Sequence, residues 1–195
     1  MRSTLKELSF EDAVAHVDDG AAFVDLRQVE EYLDVHVPGS LALLYEWGPG
    51  MQSRARDCLP LELPLVLLDL GWGDLDHAAS SLRGKGFSVV GVLEDGINRW
   101  AAARGAPGST EVVEGNRSGT KQTDGAPPLI LDVGDPGAGV VQDAVKISIE
   151  RLWTRVGELD PSRRVVIASG KGVRAALAVG ILERAGFEDI TFWKP

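Results

Sequence analysis

An α/β fold is predicted: two similar units, each a central, mainly parallel sheet flanked by helices, with the second unit truncated. Three observations carry that expectation. Leu65-Val66-Leu67-Leu68-Asp69 and Arg164-Val165-Val166-Ile167-Ala168-Ser169 are short apolar runs that lead into glycine-containing turns, as strands covered on both faces do. Each run precedes a helical stretch, 77–83 in one case and 174–183 in the other, that stops at Gly-Phe, with glycine in the position of a helix C-terminal residue. Finally, Ala78, Leu82, Gly86 and Phe87 recur as Ala178, Leu182, Gly186 and Phe187, an offset of 178 − 78 = 100 positions.

The remaining elements follow in order along the chain. Ala22-Phe23-Val24-Asp25-Leu26-Arg27 and Leu129-Ile130-Leu131-Asp132-Val133-Gly134 pair as a second set of buried strands, each reaching an aspartate. Asp25 and Asp132 are expected to accept hydrogen bonds from the loops that follow, a structural role. Gly105-Ala106-Pro107-Gly108 begins a stretch rich in Gly, Ser, Thr and Pro that continues to Pro128, so 1–107 reads as the first unit, 108–127 as a linker and 128–195 as the second unit. Asn116-Arg117-Ser118 within that linker matches the glycosylation tripeptide and is read as chance. Strands alternating with helices at this spacing imply helices on both faces of each sheet, with functional loops at the carboxyl ends of the strands.

Composition narrows the function. At 44% hydrophobic and 25% charged, the 195 residues exclude collagen-like, disulfide-framework and wholly disordered classes. The densest apolar stretch, 59–70, is broken by Pro60, Glu62, Pro64 and Asp69, so no spanning helix is expected. The opening residues lack an apolar signal core, and a cytoplasmic location is expected. Twenty basic against 29 acidic side chains leave a net charge of −9, which repels nucleic acid and anionic membranes. Cys58 is the sole cysteine, and His16, His36 and His77 stand far apart, so neither a metal nor another cofactor is expected.

Val24-Asp25-Leu26-Arg27, Glu31-Tyr32 and His36-Val37-Pro38-Gly39-Ser40-Leu41-Ala42, with the later Leu93-Glu94-Asp95-Gly96-Ile97, Trp100 and Gly105, resemble the signature segments of a rhodanese domain. The resemblance covers nearly all of 8–107. Residues from about 128 onward resemble the same domain more weakly, with Val140-Val141-Gln142-Asp143 where the His-Val-Pro-Gly segment would stand. The family implies sulfur transfer through a cysteine in the strand-to-helix loop, five positions before an arginine and 17 before the Gly of Gly-Phe. That spacing falls at 86 − 17 = 69 and 186 − 17 = 169, which hold Asp69 and Ser169. Both nucleophile positions of this tandem arrangement lack cysteine.

The two loops differ in charge. Ser169-Gly170-Lys171-Gly172-Val173-Arg174 combines successive amides at a helix start with two cations, a cradle for a small oxyanion such as thiosulfate, sulfate or phosphate. Around Asp69, by contrast, Asp74 and Asp76 add acid, and Trp72 is expected to fill or distort the loop. Ser169 can occupy the nucleophile position without forming a transferable persulfide, and no histidine lies near it in sequence to activate it as a hydrolase serine. Cys58 reads as inert packing, His36 as a tie for the loop before Pro38-Gly39, and Trp47, Trp100, Trp153 and Trp193 as core or interface packing. Arg174 has a second option, pairing with a nearby carboxylate. Three functions stay open: a sulfurtransferase-like protein silent as written, an active sulfurtransferase in which Ser169 replaces a natural cysteine, and a module that binds a protein partner. At roughly 68 residues the second unit is small for its own core, so it is expected to dock on the first unit or on another chain.

Overall fold

The computed structural model describes residues 5–115 and 127–194. In chain order the elements are α1 (Phe10–Asp18), β1 (Ala22–Asp25), α2 (Val29–Asp34), β2 (Leu41–Ala42), α3 (Gly50–Cys58), β3 (Leu65–Asp69), α4 (Leu75–Gly84), β4 (Val89–Glu94), α5 (Gly96–Arg104), β5 (Glu111–Glu114), β6 (Leu129–Asp132), β7 (Val145–Lys146), α6 (Ile149–Arg155), β8 (Val165–Ala168), α7 (Val173–Arg184) and β9 (Ile190–Lys194). They form two sheets, ordered β2-β1-β3-β4 and β5-β9-β8-β6-β7. Every pairing between these strands is parallel.

The strand period of two divides each sheet's side chains between two layers. Ala22 and Val24 of β1 and Leu65 and Leu67 of β3 point into one layer, while Phe23, Val66 and Leu68 point into the other. In the second sheet Leu129, Leu131, Val165, Ile167 and Phe192 join the first of these layers, whereas Val166, Ala168 and Trp193 form a small separate cluster. One continuous core therefore runs between the two sheets. At its centre lies α7, whose residues from Ala175 to Leu182 are all buried. A helix apolar on every side needs neighbours on every side, and α7 packs on β2 and α2 as well as on α6 and β8. The second unit thus docks on the first, through its own central helix.

Close approach at this junction requires glycine. A Cβ at Gly180 would overlap the Ser40 carbonyl oxygen and lie 3.2 Å from the Tyr32 hydroxyl. Three residues further along α7, Glu183 spans the junction: Oε2 accepts the Gly39 N–H at 2.6 Å and Oε1 lies 2.8 Å from His36 Nε2. Arg184 donates to the Ala21 carbonyl at 3.2 Å.

Two expectations are corrected here. Residues 111–114, within the stretch read as linker, form β5, a strand paired in register with β9 at the edge of the second sheet. Its Glu-Val-Val-Glu run is too short, and too polar at both ends, to stand out from its surroundings. The glycosylation tripeptide 116–118 lies outside the described residues. Helices cover both faces of the first sheet, with α1 and α5 on one side and α2, α3 and α4 on the other; among the described residues, the second sheet has helices only on the face toward the shared core. No helix among the described residues is long and apolar enough to cross a membrane.

Candidate functional site

The loops that follow β3 and β8 lie at the carboxyl ends of parallel strands, where helix N-termini point outward. The loop after β3 is built by aspartates. Asp69 Oδ1 accepts the Gly71 N–H at 3.1 Å, and Asp74 caps α4 by accepting the His77 N–H at 2.9 Å. Between them Gly71 and Gly73 take φ of 75° and 79°, the left-handed region that glycine enters freely. The result is an open cavity of about 810 Å³ lined by Glu7, Asp69, Trp72, Asp74, Asp76 and Glu94. Trp72, expected to fill or distort this loop, instead lines the cavity wall and stays 39% exposed, because the two glycines arch the backbone away from the strand end. The nearby Arg27 is committed elsewhere, to Asp25 Oδ2 at 2.7 Å and to the Val35 carbonyl at 2.7 Å.

The loop after β8 is tightly closed. Ser169 is 1% exposed, and its Oγ donates to the Trp193 carbonyl of β9 at 2.9 Å, alongside the Ser169 N–H at 2.8 Å. Gly172 caps α7 at φ 87°, and a Cβ at Gly170 would overlap the Pro136 carbonyl oxygen. The Lys171 N–H donates to that same carbonyl at 2.9 Å, and the Lys171 side chain is exposed.

At the mouth of this cradle sits Asp135, from the Asp135-Pro136-Gly137 turn after β6. Its side chain is buried, Oδ2 accepts the Ala175 N–H at 3.3 Å, and Oδ1 has no hydrogen-bond partner. Burial pushes its pKa up, while the amides of Ala175, Gly172 and Gly170 and the charge of Arg174 pull it back. The amides of Gly170 and Gly172, expected to face an external oxyanion, therefore lie beside a carboxylate of the chain itself, and the Lys171 amide is taken by Pro136. Arg174 takes its second option: it donates to the Gly134 carbonyl at 2.9 Å and lies 3.5 Å from Glu150 Oε1.

The other candidates sort by burial. Cys58 ends α3 in the core at 4% exposure, and burial, reinforced by Glu150 and Asp57, pushes its thiol up to about 12; it is packing, not a nucleophile. His36 is fully buried, with Nδ1 2.8 Å from the Tyr32 carbonyl, and it ties its own loop to α7 through Glu183. Asp25 and Asp132 accept amide hydrogen bonds from Arg27 and Gly134 two residues on, at 3.0 and 2.9 Å. Trp193 is buried and Trp100 packs edge-on against Phe23, with ring centroids 6.5 Å apart. Trp153 lies under the Arg184 guanidinium. Trp47, expected to pack, is 73% exposed and leans on His77, because the turn at Gly48 carries it outward.

Asp135 and Glu183 were not legible as site residues. The Asp-Pro-Gly turn marks a bend, yet the separation of 40 positions from Asp135 to Ala175 hides where it lands. Glu183 left a fainter signal: an acid in the last turn of a helix opposes the macrodipole and so calls for an outside partner.

Parallel strands feeding helices, with the β3 and β8 loops gathered at the strand ends, define an α/β protein. Comparison with known proteins gives the class a name. A family model described as "Rhodanese-like domain" matches residues 9–103. The thiosulfate sulfurtransferase GlpE of Pseudomonas savastanoi pv. phaseolicola is 30% identical over 97 residues, which cover 50% of this chain and 88% of that protein. The chain belongs to the rhodanese-like family. Among solved structures it is similar to a thiosulfate sulfurtransferase from Pseudomonas aeruginosa, at 17% identity and TM-score 0.40 over 98% of this chain and 43% of the other. It is also similar to SseA of Escherichia coli, a 3-mercaptopyruvate sulfotransferase, at 16% identity and TM-score 0.40 over 97% and 98% of the two chains.

Proposed function

We propose that this chain is a tandem rhodanese-like protein whose sulfurtransferase chemistry is silent as written. The first unit is 1–107. The second, 128–195, recruits β5 from the preceding stretch as its edge strand. A cytoplasmic setting suits a chain whose lone cysteine is a buried, protonated thiol.

The observation that carries the reading is Ser169. It stands where the family's reactive sulfur is expected, and its hydroxyl is held by the Trp193 carbonyl of β9. A persulfide mechanism needs a thiolate that attacks the donor sulfur, releases sulfite from thiosulfate and then hands the outer sulfur to an acceptor. An alkoxide at Ser169 would need a base, and the group facing the hydroxyl is a carbonyl, which takes no proton from it at neutral pH. Asp69 is no better placed, since its carboxylate is an acceptor within an acidic cavity.

The test is thiosulfate-to-cyanide transfer, read as thiocyanate formed by the protein and by Ser169→Cys. No thiocyanate from the serine protein is expected. Transfer that appears only in the cysteine variant identifies a scaffold that has lost its reactive atom. Turnover by the serine protein refutes the proposal.

A further inference from the structure

We propose that residues 134–139 form a displaceable strap, and that the Asp135 carboxylate occupies the amide cradle at the start of α7 in place of a small tetrahedral oxyanion such as sulfate or thiosulfate. This deepens the reading of the second unit as rhodanese-like, since it assigns the resident occupant of that unit's loop.

The strap is held at three points, all of them groups that would otherwise face an anion. The Lys171 N–H donates to the Pro136 carbonyl, Arg174 donates to the Gly134 carbonyl, and the Ala175 N–H donates to Asp135. Withdrawing the strap therefore frees backbone amides together with Arg174 Nη1, while Nη2 stays 3.5 Å from Glu150, on one side of a helix start where negative charge is favoured. The strap also bends at glycines: Gly134, Gly137 and Gly139 take φ of 73°, 92° and 71°. Gly170 gives it room, because a Cβ there would overlap the Pro136 carbonyl.

The fit of Asp135 is imperfect. One carboxylate oxygen makes a 3.3 Å hydrogen bond, and the other is buried with no partner. A planar carboxylate tethered to a turn cannot direct both oxygens at amides spread along a curved loop. A tetrahedral anion presents oxygens in more directions, and Arg174 adds a charged donor of its own. Against this stands the high effective concentration of a group already tethered in place. The intact chain should therefore bind oxyanions weakly, and removal of the carboxylate should reveal the site.

Titration calorimetry with sodium sulfate and sodium thiosulfate tests this on the full chain, with sodium chloride at equal ionic strength as the control. Removing the tethered competitor in Asp135→Ala is expected to tighten both oxyanions by about tenfold or more. Equal affinity for wild type and a folded variant overturns the proposal, as does a gain that chloride reproduces. Should Asp135→Ala fail to fold, Asp135→Asn keeps the shape of the turn while removing its charge. A gain of several-fold is expected there, and unchanged sulfate affinity overturns the proposal. None of these readings depends on sulfur transfer, so thiocyanate formation by the wild type would refute the silent reading and leave the strap standing.

Discussion

Gly180→Ala inverts the usual effect of filling a helical glycine. In an open helix the change adds about 1 kcal/mol of stability, because alanine loses less backbone freedom on folding. At Gly180 the new methyl would meet the Ser40 carbonyl oxygen, a backbone atom that no rotamer change can move. Overpacking a close-packed site costs about 1–3 kcal/mol, and an obstacle of rigid backbone places this one near the upper end. The net expectation is a loss of about 2 kcal/mol, or roughly 4–8 °C in Tm for a chain of this size. Gly84→Ala in α4 is the control, since a Cβ there meets nothing within 4 Å, and it should leave Tm unchanged or higher. Thermal unfolding followed by circular dichroism compares the two. A Gly180→Ala protein as stable as the wild type would refute the close contact between α7 and the Ser40 backbone.

Three further outcomes are expected. Glu183→Ala strands the Gly39 N–H and the buried His36 Nε2, so urea unfolding should show a loss of about 1–3 kcal/mol, whereas Glu183→Gln, which keeps an acceptor oxygen, should lose less; a loss no greater than that of the exposed Glu188→Ala removes the latch. Cys58, with its thiol raised from 9.0 to about 12, should react with a maleimide or disulfide reagent at pH 8 about a thousandfold more slowly than a free thiol; rapid labelling of the native protein contradicts its burial. Asp135 binds its proton more readily when folded than at its ordinary value of 3.8, so the wild type should gain stability relative to Asp135→Asn as the pH drops from 7 toward 4. The opposite slope would mean that the amides outweigh burial.

Much of this protein is local in origin, and so was open to reading along the chain. β3 and β8 announce themselves as apolar runs because each is covered on both faces, and α4 and α7 announce their ends through Gly86 and Gly186. The family's spacing led to Asp69 and Ser169 without any coordinates. β5 stayed hidden, since an edge strand with exposed glutamates looks like its polar neighbours until β9 pairs with it. Exposure was equally hard to foresee: Trp47 and Trp193 are the same residue type, and only the surrounding backbone leaves one in water and the other in the core.

Strand, helix and turn identity follow from residues within a few positions of one another, where periodicity and backbone preference act directly. By itself, therefore, the order of residues determined the two βα repeats, the family and the absence of cysteine from both loops. The tertiary structure alone decided what each polar group meets. Asp135 reaches Ala175 across 40 residues and Glu183 reaches His36 across 147, and those meetings depend on how the sheets and α7 stack. No local pattern could announce that the fold brings a carboxylate of the chain itself to the amides at the start of α7.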